Sequence, residues 1–223
     1  MDSLVPARQN AALTDLTREK TFSILILDSS GSMQRFGFTP IEVANKHVQA
    51  LADANDGREY YFGLVTFANM AKVEIGLSPV ADIIPLEIYH PSGGTRLWET
   101  VYSVIDRLLN FLSPFSLFDR QKIQIAISVI TDGEDNMSDR ERFPEILQRK
   151  AKEIQNLGWK LLCYGIGIDA EKTAKNMGFP LDPSLTVRIE PTHEGVRGTS
   201  IHMTQTIRGT WVPKNEPPNT PSP

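Results

Sequence analysis

The chain has 223 residues, of which 40% are hydrophobic and 22% charged, a composition typical of a globular protein long enough for one α/β domain. Its formal net charge of −4 gives no electrostatic reason to expect nucleic acid or an anionic membrane as a partner. The single cysteine, Cys163, excludes an internal disulfide framework and a cysteine-rich zinc site.

The N-terminal residues, 1–20, mix charged, amide and apolar side chains. We expect them to form a loosely held arm, in which Leu13 and Leu16 could dock on the domain. The arm lacks the apolar core of a signal peptide, and no run in the sequence is apolar enough to cross a bilayer. The sequence therefore predicts a cytoplasmic protein with no membrane partner.

The first predicted strand, 22–27, contains an uninterrupted apolar stretch at residues 24–27, which predicts burial on both faces of a parallel sheet. Asp28, Ser30 and Ser32 follow it at alternate positions, where the carboxyl ends of parallel strands commonly form ligand sites. Ligands that offer only oxygen suit Mg²⁺ better than Zn²⁺. We expect Gly31 to let the backbone turn tightly, so that both hydroxyls converge on one point.

The loop after these serines is rich in large side chains. They either tuck under the next helix or form an apolar rim around a bound ion, as in a binding hot spot. On the second interpretation, the candidate partner-binding rim combines this loop with residues from later loops: Met33, Arg35, Phe36, Phe38, His90, Arg96 and Glu134.

The next elements are a helix, a hairpin and a second helix. Thr39-Pro40 with Glu42 offers a cap, a proline in the first turn and a capping box, which together predict a helix start. Strands predicted at 60–67 and 71–77 are joined by so short a link that they must be antiparallel. Apolar periodicity predicts the second helix over 97–112.

Two further loops offer oxygen ligands. The turn Ser92-Gly93-Gly94-Thr95 brings a hydroxyl to the start of the second helix, and the predicted strand 123–130 leads to the carboxylate of Asp132. Glu134, Asp135 and Asn136 come next. A solvated turn is the favoured interpretation of these three, and tuning of the ion from a distance is the alternative.

The last third of the chain predicts alternating helices and strands, at 144–157, 159–168, 169–178 and 185–189. Glycines weaken any helix over 193–208, although Thr199 or Ser200 could cap a short one. Residues 210–223 are rich in proline and predict a disordered, extended tail.

The three oxygen-bearing loops, in this order and each beside a buried element, resemble the von Willebrand factor type A (VWA) family and its metal-ion-dependent adhesion site. The resemblance covers residues 21–209 and implies an intact metal site made of Asp28, Ser30, Ser32, Thr95 and Asp132. It also implies a doubly wound α/β fold, with a mostly parallel central sheet, one antiparallel edge strand and helices on both faces.

This resemblance implies a non-enzymatic, Mg²⁺-dependent protein-interaction module, with Mn²⁺ or Ca²⁺ as possible replacements. A partner protein would donate an Asp or Glu to the ion. Stand-alone intracellular members of the family, including bacterial ones, commonly serve as adaptors beside AAA+ ATPases or in stress and defence systems. Asp28 and Asp132 lying far apart, or a lysine or arginine head occupying the gap between them, would exclude the proposed ion site.

Two alternatives involve other chemistry. Asp28 could be the nucleophile of a Mg²⁺-dependent hydrolase or phosphatase, but such enzymes need a second aspartate where this chain has Ser30. Gly165–Ala170 matches a variant of the dinucleotide-binding fingerprint. That motif comes late in the strand order, and Asp169 within it would repel a pyrophosphate.

Overall fold

The computed structural model describes Leu4 and residues 11–209. The strands are β1 (Lys20–Asp28), β2 (Glu59–Phe67), β3 (Ala71–Pro79), β4 (Ile123–Thr131), β5 (Lys160–Ile166) and β6 (Thr186–Ile189). The helices are α1 (Ala11–Thr14), α2 (Thr39–Ala52), α3 (Leu97–Leu112), α4 (Leu117–Gln121), α5 (Glu145–Asn156), α6 (Ala170–Met177) and α7 (His193–Arg208).

The strands form one sheet in the order β3-β2-β1-β4-β5-β6. All neighbouring pairs are parallel except β2 and β3, so β3 is an antiparallel edge strand. This arrangement confirms the predicted doubly wound fold. Because β1 and β4 are adjacent and parallel, the loops that follow Asp28 and Thr131 emerge side by side at one edge.

Apolar side chains cover both faces of the sheet. On one face α2 and α7 bury residues such as Val43 and Met203 against β1, β2 and β5. On the other face α3, α5 and α6 bury residues such as Val104 and Ile154. Residues 24–27 are fully buried, as the uninterrupted apolar run predicts for a central parallel strand.

The described part of the N-terminal arm packs on the domain. Leu4 and Leu13 are both buried in the core, and the backbone N–H of Leu77 donates to the Leu4 carbonyl at 2.7 Å. Lys20 already belongs to β1, one residue before the predicted domain boundary. The predicted tail, residues 210–223, lies outside the described residues. Within the described part of the chain, no helix is long and apolar enough to cross a membrane.

The prediction of a weak, short helix near the C-terminus is wrong. Residues 193–208 form one continuous helix, α7, whose cap is Thr192, with its side chain accepting from the Gly195 N–H at 3.0 Å. Val196, Met203 and Ile207 are buried on its inner face. Burial of this apolar face outweighs the low helix propensity of the internal glycines.

Candidate metal site

The predicted carboxylates lie together at the edge where β1 and β4 end. Asp28 is the last residue of β1 and is fully buried, and Asp132 directly follows β4 with its side chain also shielded from solvent. In a parallel sheet, adjacent strands that end at the same level present their following residues to one another. The local architecture therefore brings two acids, far apart in sequence, to one place.

A chain of hydroxyl contacts links the first loop to the second acid. The Ser30 and Ser32 hydroxyls are 3.1 Å apart, and the Ser32 hydroxyl donates to Asp132 Oδ1 at 2.6 Å. These serines lie at the start of a 3₁₀ turn, Gly31–Phe36, which follows β1 directly. The turn therefore aims alternate side chains toward the end of β4.

Asp28 is buried with neutral hydrogen-bond partners. Its Oδ1 accepts from the Ser30 backbone N–H at 2.7 Å, and its Oδ2 accepts from the Thr131 hydroxyl at 2.5 Å. Burial raises the pKa of Asp28 to about 6, the nearby Asp132 charge adds to the rise, and the Thr131 and Ser30 hydrogen bonds oppose it. The described contacts leave the buried charge without a cationic partner.

Thr95 is buried in the second loop, facing the third. Its side-chain oxygen would be 3.5 Å from a Cβ added at Gly133, the residue after Asp132. Its backbone N–H donates to the Asn136 side chain at 2.8 Å, and its carbonyl accepts from the Asn136 N–H at 3.0 Å. The second and third loops are therefore joined on both sides of this hydroxyl.

The interpretation of residues 134–136 as a solvated turn is wrong for Asp135. Its carboxylate is buried and accepts from the backbone N–H of Trp98 and from both the N–H and the hydroxyl of Ser138, at 2.6–2.8 Å. It therefore ties the third loop to the start of α3, because the unpaired N–H groups at a helix N-terminus donate readily to a carboxylate. Glu134 behaves as expected of an exposed residue and pairs with Lys172 at 2.6 Å.

Gly93, rather than Gly31, is the glycine that the site requires. Gly31 has no positive φ, and a Cβ there would make only ordinary contact, 3.5 Å from the Gly93 carbonyl. Gly93 has a φ of +79°, and a Cβ there would lie 2.7 Å from Asn69 Oδ1, which accepts from the Gly94 N–H. The tight approach that we predicted in the first loop therefore occurs in the second.

Arg35 contacts one of the two acids. Its guanidinium Nη2 lies 2.8 Å from Asp132 Oδ2, and the side chain is 52% exposed. The guanidinium also lies over the Phe36 ring, 4.8 Å from its centroid. Among the described contacts, Arg35 pairs with Asp132 and not with Asp28. Its guanidinium therefore does not bridge the two acids.

Of the two alternatives for the loop after the serines, tucking under the next helix is confirmed for two side chains, and the apolar rim is wrong at these positions. Met33 and Phe36 are buried, because the 3₁₀ turn folds them under α2 and into the core that this helix covers. Phe38, in contrast, is 57% exposed. Of the remaining rim candidates, His90 is exposed, and Arg96 is partly exposed and pairs with Glu99 at 3.2 Å.

Sequence reasoning missed three residues that hold the loops in place. Thr131 bonds to Asp28, Asp135 anchors α3, and Asn69 accepts from Gly94. The available signal was position, since Thr131 ends a buried strand directly before a predicted ligand.

The glycine fingerprint at 165–170 leads into the N-terminus of α6. The Asp169 side chain already caps this helix by accepting from the Lys172 N–H, at the place where a dinucleotide phosphate would bind.

The donor set fits a hard divalent cation. Two shielded carboxylates face a group of hydroxyls, and all of these atoms are oxygens, which Mg²⁺ prefers. Within residues 11–209, no group of three or more His, Cys, Asp and Glu residues could hold a metal. An ion here would therefore depend on serine and threonine hydroxyls as well as on the acids.

Solved structures with the same fold come from several sources. The vWF domain of the type V pili tip protein Mfa5 from Porphyromonas gingivalis aligns with a TM-score of 0.58 and 12% identity, covering 88% of this chain and 99% of that one. A von Willebrand factor type A protein from Catenulispora acidiphila aligns with a TM-score of 0.55 and 18% identity, covering 86% and 43%.

Proximal thread matrix protein 1 from the mussel byssus aligns with a TM-score of 0.55 and 14% identity over 85% of this chain. The present chain spans only 46% of the mussel protein's length. Another structure of the mussel protein is described as having a zinc-occupied MIDAS motif, MIDAS being the metal-ion-dependent adhesion site. At these identities, the alignments show the fold alone.

No curated protein matches this sequence. The sequence profile of the von Willebrand factor type A domain, however, matches residues 24–188, which is most of the chain. This match begins within β1 and ends within β6, so it includes all three loops of the candidate site. The chain therefore belongs to the von Willebrand factor type A domain family.

Proposed function

We propose that this domain is a protein-interaction module that binds one divalent ion, Mg²⁺, and through it an acidic residue of a partner protein. The observation that carries the proposal is the convergence of Asp28 and Asp132 with the Ser30–Ser32 hydroxyl pair at a single edge of the sheet. Burial of two acids without enough positive charge is costly, and a bound divalent ion would offset that cost.

The proposed ligand set is Asp28, Ser30, Ser32, Thr95 and Asp132. A bound ion would supply a strong electrophilic centre for a partner's carboxylate. The chain's own residues orient this set: Thr131 and the Ser30 N–H fix the Asp28 carboxylate, and Asn136 fixes the loop that carries Thr95. Second contacts of this kind hold ligands in the orientation that the metal needs.

Two structural observations do not favour a hydrolase with Asp28 as nucleophile. Asp28 is fully buried, and both of its carboxylate oxygens already accept hydrogen bonds. Its neighbour two positions along is Ser30, which cannot serve as a carboxylic general acid or base. We therefore propose a module without catalytic activity.

The partner in this proposal is a protein that presents an Asp or Glu on an accessible segment. Relatives in fold include a pilus adhesin, SpaC from Lactobacillus rhamnosus GG, which aligns with a TM-score of 0.61 and 13% identity. For this chain we propose a cytoplasmic adaptor role, with an AAA+ ATPase or a stress- or defence-system component as the class of partner. We propose Mg²⁺ as the ion, while Mn²⁺, Ca²⁺ and the zinc seen in the mussel protein are competitors to be compared.

Titration calorimetry tests the metal. We expect Mg²⁺ to bind wild type with one site and to give no binding heat with Asp132→Ala, because this change removes one of the two acids. Asp82→Ala is the matched control, since it removes an exposed acid outside the proposed ligand set. Equal heats in wild type and Asp132→Ala would contradict the assignment of the site.

A pull-down with and without EDTA tests the partner. A protein that bridges to the ion should be recovered in Mg²⁺ and lost in EDTA, and Asp132→Ala should lose it under both conditions. Recovery that is equal in Mg²⁺ and EDTA would contradict ion-bridged recognition while leaving the metal result intact.

A further inference from the structure

A groove of about 690 Å³ lies beside the candidate metal site. Its floor is formed by Thr66 of β2 together with Lys72 and Glu74 of β3, and its wall by segment 84–90, which belongs to no helix or strand. Strand β3 runs antiparallel to β2, away from the metal edge, and the segment after it returns to that edge. The groove therefore follows the outer strand toward the proposed ion.

Large apolar side chains are exposed along this groove. Met70, Ile84 and Ile88 all line it and are 79%, 83% and 68% exposed. Single exposed apolar residues are normal on a protein surface, but several along one depression mark an interaction site. Met70 lies in the turn between β2 and β3 at the metal edge, and the two isoleucines lie along the wall.

The wall is held in place by hydrogen bonds. The side chain of Asn45 in α2 donates to the Leu86 carbonyl at 2.9 Å and accepts from the Leu86 N–H at 3.0 Å. The buried Tyr89 hydroxyl donates to the carbonyl of Asp28. Because Leu86 and Tyr89 are fixed from within, Ile84 and Ile88 project from a preformed support rather than from a loose loop.

The groove and the metal loop are physically continuous. Ser29 lines the groove and lies between Asp28 and Ser30, and its carbonyl accepts from the Ser92 N–H at 2.7 Å. The Ala68 carbonyl, in the turn that carries Met70, accepts from the Arg96 N–H at 3.0 Å, next to Thr95. A chain that places a carboxylate at the ion could therefore continue into the groove.

The polar groups of the floor argue against a small apolar ligand. Lys72 and Glu74 form an ion pair of 2.7 Å, and the Thr66 hydroxyl donates to Glu74 at 2.8 Å. A peptide suits this mixture, because an extended chain directs alternate side chains to opposite sides and carries polar backbone groups between them. The groove lies between edge strand β3 and segment 84–90, and this position fits the same occupant.

We propose that this groove binds an extended segment of the partner protein, in which bulky apolar residues alternate with polar ones next to the acidic residue that reaches the ion. The proposal rests on the proposed function of the metal site and specifies the partner's chemistry. Ile84 and Ile88 contact the apolar side chains, and the ion fixes the register of the segment. The ion thus provides recognition of charge, and the groove provides recognition of sequence.

Peptide display tests this proposal directly. Random linear peptides are selected on the Mg²⁺-loaded protein and released with EDTA. We expect the released sequences to contain an Asp or Glu with Leu, Ile, Phe or Met at alternate positions on one side of it. The double variant Ile84→Ser, Ile88→Ser should bind the selected peptides at least about tenfold more weakly, as loss of two apolar contacts implies. Its Mg²⁺ affinity, measured by calorimetry, should equal that of wild type.

Ile201→Ser is the matched control, because it removes a 63% exposed isoleucine on α7 outside the groove. Peptides that carry an acid but bind the double variant as tightly as wild type would overturn the groove and leave the proposed function standing. Absence of EDTA-released peptides despite measured Mg²⁺ binding would overturn both the groove and the ion-bridged partner. Self-association of wild type that the double variant loses would assign the groove to a second copy instead.

Discussion

At the scale of single residues, the contact between Arg35 and Asp132 determines how the proposed site changes on metal binding. The guanidinium is half exposed, whereas the carboxylate that it contacts is fully shielded. A partly exposed arginine on a buried acid offsets the cost of burying that charge, and it can leave at little cost to itself. Arg35 therefore competes with a metal ion for Asp132.

This competition predicts the effect of Arg35→Gln. The variant lacks the guanidinium that pairs with Asp132. Mg²⁺ then binds without having to displace a positive charge and without repulsion from one. We expect Mg²⁺ to bind Arg35→Gln up to about tenfold more tightly than it binds wild type, as measured by titration calorimetry. Arg197→Gln is the control, since it removes an arginine of similar exposure from an ion pair with Glu42. An equal change in Mg²⁺ affinity in both variants would show that the effect comes from net charge alone, and would contradict a specific competition by Arg35.

The position of the five proposed ligands at one edge of the sheet could be predicted from the sequence because their signal is local. Each carries a side-chain oxygen in a loop beside a buried strand or at the start of a helix, and parallel strands end together. The roles of Thr131 and Asp135 could not be predicted in this way. Thr131 meets Asp28 only because β1 pairs with β4, and Asp135 meets Trp98 only because α3 starts beside the third loop.

At the scale of elements, α7 shows how packing overrides local propensity. Two glycines near its start suggest an interrupted segment, yet the helix is continuous from His193 to Arg208. Its cap, Thr192, accepts from the backbone N–H of Gly195, three residues along, which is the hydrogen bond that a threonine makes at a helix start. The sequence could not show that α2 and the sheet would cover its apolar face.

The two glycines of α7 have different environments, which predicts opposite effects of the same substitution. A Cβ at Gly198 would meet nothing within 4 Å, whereas a Cβ at Gly195 would lie 2.5 Å from the Glu190 carbonyl. We expect Gly198→Ala to raise the free energy of unfolding by about 0.5–1 kcal/mol, because alanine favours a helix over glycine. Gly195→Ala should lower it, because the backbone at Glu190 must move. Urea unfolding of both variants measures the difference, and stabilisation by Gly195→Ala would contradict the geometry.

At the scale of the whole molecule, the doubly wound sheet was implied by the resemblance to the von Willebrand factor type A family, and the alternation of buried strands and amphipathic helices along the chain agrees with it. The docking of the N-terminal arm did not follow from that order, because Leu4 and Leu13 are isolated apolar residues in a polar segment. The exposure of the groove residues Ile84 and Ile88 did not follow from that order either, because isoleucine is among the residues most often buried.

A buried histidine joins the sheet to its helical layer. His47 in α2 is fully buried, with Nε2 2.9 Å from the Ser23 hydroxyl of β1 and Nδ1 2.8 Å from the Thr204 hydroxyl of α7. Burial lowers the pKa of His47 from 6.5 to about 3. Folding thus requires a neutral imidazole, while the unfolded chain protonates it near its ordinary pKa.

This difference predicts how acid affects the stability of the entire fold. The contribution of His47 is fully present above pH 6.5 and is lost as the pH falls toward 3, because only the unfolded state takes up the proton in that range. The loss is at most about 1.4 kcal/mol per pH unit, which amounts to about 2 kcal/mol between pH 6.5 and 5. Asp28 acts in the opposite direction, since its raised pKa makes the folded state bind a proton first as the pH falls through about 6.

The His47 effect is isolated by comparing wild type with His47→Gln in urea at several pH values. Glutamine keeps polar atoms for Ser23 and Thr204 but does not titrate, so the variant should lose less stability than wild type on going from neutral pH to pH 5. The Asp28 contribution cancels in this comparison, because both proteins retain it. Nitrogen NMR of the folded wild type provides an independent measurement, in which the His47 ring should stay neutral below pH 5. Protonation of that ring near pH 6.5 without unfolding would contradict the buried network and the coupling of sheet to helices through it.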